Sequence, residues 1–338
     1  MRPMAADFPD SVDVLVAGAG PAGLAAALDL CAAGARVLVV DARARLGHPL
    51  RCGEVTRPAA LETFGLEPRP GWVRWSIRAP FEQVVLDRPR LEHDLGQIVA
   101  QRGGLLRPGT TVSAVGPFDG GGRTVTLARG PARPQVRARV VIAADGVAAG
   151  VARLAGLDTR LPLDQLAACL AYRLVDVSMA DTSRFYHLKR PALHPFYFWI
   201  IPSGPREANV GLAVSARRGH AAAALLEEEV RLRPELRGGR RRDAIVGLAP
   251  SAPPLATPYA DGLLVVGTAA RLIDALTLEG IWHAAVSGRA AARVCRELGA
   301  QAPTAARLAP YRAAIAELYP ALEAAAARRA AVEGRRER

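Results

Sequence analysis

The sequence predicts an α/β fold: a Rossmann-like domain, interrupted by an inserted antiparallel β-sheet domain and closed by a C-terminal helical segment. Three observations predict it. Near the start, Val12 to Ala17 is a short apolar strand pattern that runs into a glycine turn, an alanine-rich helix and a second apolar strand ending in an acid. Ala138 to Ala143 repeats that strand pattern, and Gly262 to Val266 repeats it again about 100 residues later, each followed by a glycine-containing turn. Between those two lies a run of β-rich segments with the spacing of antiparallel strands.

The first unit is the most informative. Gly18-Ala19-Gly20-Pro21-Ala22-Gly23 follows the first strand, Leu24 to Ala33 reads as a helix ended by Gly34, and Ala35 to Val40 leads to Asp41. Each residue type has a physical task. Gly18 permits the tight turn, Gly20 lets a pyrophosphate approach the backbone, and Gly23 lets helix and strand pack closely. The free amides and dipole at the helix start favour an anion, and Asp41 can accept hydrogen bonds from ribose hydroxyls. Strand, glycine turn, helix, strand and acid together indicate a bound dinucleotide, with NAD and FAD both open at this point.

Asp87-Arg88-Pro89-Arg90 opens a helix with Leu91, Leu95, Ile98 and Val99 on one face, ended by Gly103-Gly104. Hairpin-like β segments follow near Leu105, Val112 to Val115 and Thr124 to Leu127. The strand Ala138 to Ala143 ends in Ala144-Asp145-Gly146, and a later helix begins at Glu279-Gly280-Ile281. Cys169 to Val175, Arg184 to Leu188, Phe196 to Ile201 and Ala208 to Val214 are antiparallel strand candidates, and Ala221 to Arg233 reads as a helix. Residues 11–71, 87–157 and 257–300 therefore form a discontinuous nucleotide domain. Residues 72–86 and 158–256 form a substrate domain, and 301–338 form two helices hinged at Pro320. Arg240-Arg241-Arg242 reads as a solvated loop, and the basic tail from Arg328 to Arg338 as a frayed helix end.

Composition narrows the function class. The chain has 338 residues, half of them hydrophobic, which is the balance of a folded globular protein rather than a disordered one. The net charge of +12 is carried almost wholly by arginine, since Lys189 is the one lysine. Such a skew is what codon bias produces, and no basic stretch is interleaved with the aromatic residues that stack on bases, so no nucleic-acid partner is expected. Cys31, Cys52, Cys169 and Cys295 show no metal-ligand spacing, and no metal site is expected. Free thiols, an N-terminus without an apolar core and the lack of a spanning run point to a cytoplasmic protein, with at most peripheral contact at the inner membrane face.

Four further motifs, in order, carry a resemblance. Arg51-Cys52-Gly53-Glu54 is similar to a cysteine-glycine loop that faces an isoalloxazine ring. Arg88-x-x-Leu91-Glu92-x-x-Leu95 is similar to R-x-x-F-D-x-x-L, and Ala144-Asp145-Gly146 matches a DG motif. Gly267 to Ile281 is similar to GDAAGxxxPLTGEGI. With Tyr197-Phe198-Trp199-Ile200-Ile201-Pro202 and the later Gly211, matching YxWxFP, the chain resembles the FAD-dependent geranylgeranyl reductases, within the p-hydroxybenzoate hydroxylase-like flavoproteins, from about Val12 to Leu298.

The resemblance implies an FAD oxidoreductase. FAD would be held by Gly18, Ala19, Gly20, Ala22, Gly23, Asp41, Arg51, Cys52, Gly53, Arg88, Val112, Asp145, Gly146, Gly267, Thr268, Gly280 and Ile281. Tyr197, Trp199, Pro202 and Gly211 would line a cavity for a hydrophobic or lipid substrate. Cys52 and Glu54 would be the catalytic side chains, His48 and His283 being loop and packing histidines. Reduction of carbon–carbon double bonds in an isoprenoid-like substrate is the first reading. A flavin monooxygenase on the same fold and a non-catalytic lipid-binding protein are the alternatives. The expected electron donor is NAD(P)H bound transiently, or a ferredoxin, because no second GxGxxG exists. Two departures stand out: Thr268 replaces the motif's aspartate, and Leu278 replaces a glycine, which predicts a rearranged loop.

Overall fold

Short apolar runs bounded by glycine become the buried centre of the main sheet. In the computed structural model, which describes residues 8–333, β1 (Ser11–Ala17) leads through α1 (Pro21–Ala32) to β2 (Val37–Asp41). The small β3 (Val55–Thr56), α2 (Ala59–Glu62), β4 (Val73–Ile77) and β5 (Gln83–Leu86) come next, then α3 (Arg88–Gln101) and β6 (Leu105–Pro108). A meander of β7 (Thr111–Val115), β8 (Arg123–Ala128) and β9 (Gln135–Ala143) follows, with α4 (Gly150–Leu154). Then come β10 (Leu166–Val175), β11 (Tyr186–Lys189), β12 (Tyr197–Pro202), β13 (Glu207–Ser215), α5 (Ala222–Arg231) and β14 (Arg240–Pro250). The chain closes with β15 (Tyr259–Ala260), β16 (Leu263–Val265), α6 (Ile281–Leu298), α7 (Ala305–Leu308), α8 (Pro310–Ala314) and α9 (Tyr319–Glu333).

The main sheet has the order β15-β16-β9-β1-β2-β6, with β16, β9, β1, β2 and β6 parallel. This Rossmann-like arrangement brings the ends of β1, β9 and β16 side by side. Helices α1 and α6 pack closely, because a side chain at Gly288 would strike the Ala22 carbonyl oxygen at 2.1 Å. The five-stranded antiparallel sheet runs β11-β12-β13-β10-β14, and β3-β5-β4 form a third sheet. Helix α5 covers one face of the five-stranded sheet, where Tyr172, Leu174, Phe198 and Leu212 pack with Leu226. The other face carries Ala171, Tyr197, Trp199, Ile201 and Ile245, packed with Ile77, Val85 and Ile273.

Four expectations need correction. Arg240-Arg241-Arg242 opens an 11-residue strand rather than a loop, because backbone pairing with β10 satisfies the chain there while the guanidinium groups stay exposed. The C-terminal segment does not bend at Pro320. That proline is the second residue of α9, where its missing N–H costs nothing, and the chain turns instead around Pro310 and Ile315–Leu318. Arg329 is not part of a frayed end: it is buried, with its guanidinium carbon 4.2 Å from the centre of the Phe196 ring. The arginines at 335, 336 and 338 lie outside the described residues. Finally, Leu278 adopts the left-handed conformation, φ 59°, so the loop keeps a glycine-like path without glycine. Arg271, where the motif also has glycine, does the same at φ 59°. Each costs about 1–2 kcal/mol of local strain.

Candidate cofactor and substrate site

The glycine turn is fixed by close backbone contacts. A side chain at Gly18, φ 119°, would lie 2.2 Å from the Ala144 carbonyl oxygen, and one at Gly23 would lie 1.9 Å from the Gly18 oxygen. At Gly20 a side chain would meet nothing within 4 Å. The first and last glycines are thus demanded by packing, whereas the middle one leaves open space in front of the α1 amides, as an anion needs. A side chain at Gly267, φ 58°, would approach Ala22 to 2.9 Å, so the Gly267–Ala270 turn sits against the same turn and carries Thr268 there. Its amide donates to Ser287 Oγ at 2.9 Å. Gly280 caps α6 without a side-chain bond, so no side chain of the cap covers the first amides of the helix, and the Ala284 amide donates to the Gly280 carbonyl at 2.9 Å.

Asp145 follows β9 by two residues, beside Gly18. Its Oδ2 accepts from the Val151 amide at 3.0 Å, while Oδ1 is buried without a partner among the described residues, and burial raises its pKa. A buried carboxylate oxygen with nothing to accept from, next to open space at Gly20 and Gly146, fits a bound group with hydroxyl donors.

Asp41 differs from expectation. Its Oδ1 accepts from the Arg43 amide (2.8 Å) and Nε (2.9 Å), and its Oδ2 from the Ala19 amide (2.7 Å) and Arg43 Nη2 (2.9 Å). All four acceptor positions of the carboxylate are used. Burial works against its ionised form, but Arg43 outweighs burial and holds its pKa below the ordinary value. Arg43 also donates to Glu92 at 2.9 Å, and Arg88 pairs with the other Glu92 oxygen. Val112 lies on β7 opposite Leu127, just after Thr110, whose amide donates to the Asp41 carbonyl.

The Cys52 loop is tied at several points. Cys52 Sγ accepts from the Glu54 amide at 3.2 Å. A side chain at Gly53 would touch Ile201 of β12 at 3.4 Å, and Arg51 is exposed beside Gly247 of β14. Glu54 is left-handed at φ 68° and buried. Its Oε2 accepts from Arg173 at 2.5 Å, Oε1 from the Arg88 amide at 3.3 Å, and burial pushes its pKa up against the pull of Arg173. Arg173 also faces Glu207 (3.8 Å) and Asp243 (3.6 Å), and Arg74 pairs with Glu207 at 2.8 Å.

Tyr197 and Trp199 share one face of β12, ring centres 5.8 Å apart, and both are buried. The Tyr197 hydroxyl donates to the Thr277 carbonyl, joining the sheet to the loop before α6, and Trp199 Nε1 donates to Asn209 at 2.9 Å. Gly211 lies beneath the indole: a side chain there would come within 2.4 Å of Trp199. It therefore seats Trp199 and faces no open space, while Pro202 ends the same strand. His48 is half-buried in its loop. His283 is buried on α6, its Nδ1 has no hydrogen-bond partner, and burial lowers its pKa. Glu279 locks the site's floor, accepting from Thr56 Oγ1 (3.1 Å) and Arg57 (2.8 Å). Sequence reasoning missed Arg43 and Arg173, and gave Glu92 no role beyond its place in the helix-start motif. Arg173 had a signal: it stands on the inward-facing alternation of Ala167, Cys169 and Ala171, where a charge needs a buried partner.

The FAD binding domain family matches residues 11–66. Digeranylgeranylglycerophospholipid reductases from Methanoculleus marisnigri and Methanosphaerula palustris are each 34% identical over 307 residues, covering 84% of this chain and 76% of theirs. A geranylgeranyl bacteriochlorophyll reductase-like protein from Thermoplasma acidophilum superposes with a TM-score of 0.87 at 25% identity, covering 94% of this chain and 88% of that one. A flavin-dependent brominase, TM-score 0.71 at 18% identity, shares the fold.

Proposed function

The chain belongs to the geranylgeranyl reductase family of FAD-dependent oxidoreductases, and from that premise we propose that it saturates carbon–carbon double bonds in the isoprenoid chains of a glycerolipid. One observation carries this reading in the molecule itself. The aromatic face of β12 meets the Cys52 loop through Ile201 and Gly53 and the loop before α6 through Tyr197, which makes an apolar, water-poor layer where the two motif loops converge.

The glycine turn and the amides of α1 would hold the pyrophosphate, and Asp145, Gly267 and Thr268, with the first turn of α6, the ribityl and flavin end. Reduced FAD bound there supplies hydride. An isolated alkene is a poor hydride acceptor, so orientation and dryness must supply the rate. Tyr197, Trp199 and Ile201 provide the wall that aligns the chain and excludes water. Glu54, with both oxygens engaged, anchors the loop rather than delivering a proton. Cys52, partly exposed on that loop, is assigned the proton. Residues 11–71, 87–157 and 257–300 serve FAD, 72–86 and 158–256 the substrate, and helices α7 to α9 brace the two. NAD(P)H or a ferredoxin would deliver the electrons. Contact with a lipid surface would be peripheral, and among the described residues no helix is long and apolar enough to cross a membrane.

The test is anaerobic: dithionite-reduced holoenzyme is mixed with a geranylgeranyl glycerolipid, and the products are read by mass spectrometry. The expected product gains two hydrogens per double bond as the flavin reoxidises. An unchanged lipid, with substrate-triggered oxygen uptake in air, would sink the reading in favour of a monooxygenase.

A further inference from the structure

A surface pocket of about 420 Å³ lies beside the Asp145 turn, where the main sheet hands over to the five-stranded sheet. Val147, Leu161 and Leu166 give it apolar walls, and Arg153 and Arg160 line it. Arg271 reaches its rim from the Gly267 turn, with Nη2 3.5 Å from the Arg160 carbonyl oxygen. Arg153 Nη1 donates to the Ala148 oxygen at 2.6 Å and Thr159 Oγ1 at 3.3 Å, and Arg160 Nε to Asp158 at 3.0 Å. Arg271 is half-buried, makes no hydrogen bond to a carboxylate among the described residues, and leaves its buried Nε without a partner there. Burial lowers its pKa, with Asp158 the one acid pulling the other way. Asp145 faces Arg153 from the turn, so three guanidinium groups stand against two carboxylates.

We propose that this pocket is a phosphate site, occupied in the reading above by the headgroup phosphate of the glycerolipid whose chains are reduced. The inference rests on that reading for its ligand and on the arginines for its chemistry. Guanidinium forks bind phosphate oxygens in pairs. A half-buried arginine held at φ 59°, where a glycine would sit without strain, carries a local cost that its side chain must offset.

A dinucleotide carries the same phosphate chemistry, so the test has two arms. In the first, oxidised holoenzyme is titrated with geranylgeranylglyceryl phosphate and with the corresponding alcohol, using wild type, Arg160→Gln and Arg271→Gln. Wild type should bind the phosphate form at least tenfold more tightly, and both variants should lose that preference while retaining FAD and binding the alcohol as before. In the second arm, NADPH-driven flavin reduction is measured in the same proteins. A tenfold rise in the NADPH KM of both variants, without a lipid preference, would keep the phosphate site and assign it to the dinucleotide. Wild type binding phosphate and alcohol equally, with NADPH kinetics unmoved in the variants, overturns it. If both lipids are reduced but bind alike, the catalytic reading stands and the pocket falls. If neither is reduced while the preference persists, the pocket stands and the catalytic reading falls.

Discussion

Asp41 shows how much a single side chain can change a motif's meaning. Strand, turn and acid were legible from spacing alone. That Arg43 would saturate the acid was not, because the contact depends on a side-chain path from two residues away that also reaches Glu92. If Asp41 is to accept from ribose hydroxyls as proposed, they would compete with Arg43 for it. Arg43→Gln should therefore tighten FAD binding about tenfold, the worth of one charge-assisted hydrogen bond no longer lost to competition, as flavin fluorescence quenching would show. The same change should lower the apoprotein's Tm, since buried Glu92 loses a partner; weaker FAD binding would refute the competition. Thr268→Asp restores the motif's acid and should raise FAD affinity. Among the thiols, burial pushes Cys31 up to about 11 and Cys169 and Cys295 up to about 12. At pH 8 these three remain protonated. Iodoacetamide followed by peptide mapping should find Cys52 modified first, and bound FAD should protect it. Labelling of Cys169 ahead of Cys52 would contradict this loop geometry.

At the level of elements, apolar runs ending in glycine were readable because the parallel strands are buried on both faces and leave no alternation to misread. β14 was not, because its first three residues are arginines whose charge masks a strand set by pairing with β10. The loop before α6 was misjudged for another reason. Leu278 is partly buried against the aromatic face, and that packing offsets the left-handed strain that sequence rules treat as prohibitive. The pairing of Trp199 with Gly211 gives a sharp test at this scale. Gly211→Ala must push the indole off β13 and strain its bond to Asn209. The expected cost is about 1–3 kcal/mol, read as a drop in Tm with a shifted tryptophan emission. An unchanged Tm and spectrum would mean the indole is not seated there.

Across the whole molecule, the C-terminal helix joins what the chain order keeps apart. α9 lays Ala325 and Ala326 against Ala275 of the loop before α6, and it carries buried Arg329 to Phe196, the residue before β12. One helix thus touches both the loop proposed to frame the flavin end and the residue that leads into the strand of Tyr197 and Trp199. Nothing in its alanine-rich sequence announces this, because alanine reads equally well as a surface helix former and as a close-packing face. The contact has no slack: Ala275 is fully buried and Ala326 nearly so. Ala326→Leu adds three carbons where none fit, so the loop holding Leu276 and Thr277 must move. Through the Tyr197–Thr277 hydrogen bond, β12 must follow. FAD affinity should then fall about tenfold, and lipid turnover should fall further, although residue 326 touches neither. Ala327→Leu, on an exposed position of the same helix, is the control and should leave both unchanged. Loss of affinity in the first variant alone would show that the helix braces the site, whereas equal behaviour of the two would reduce α9 to a packing element.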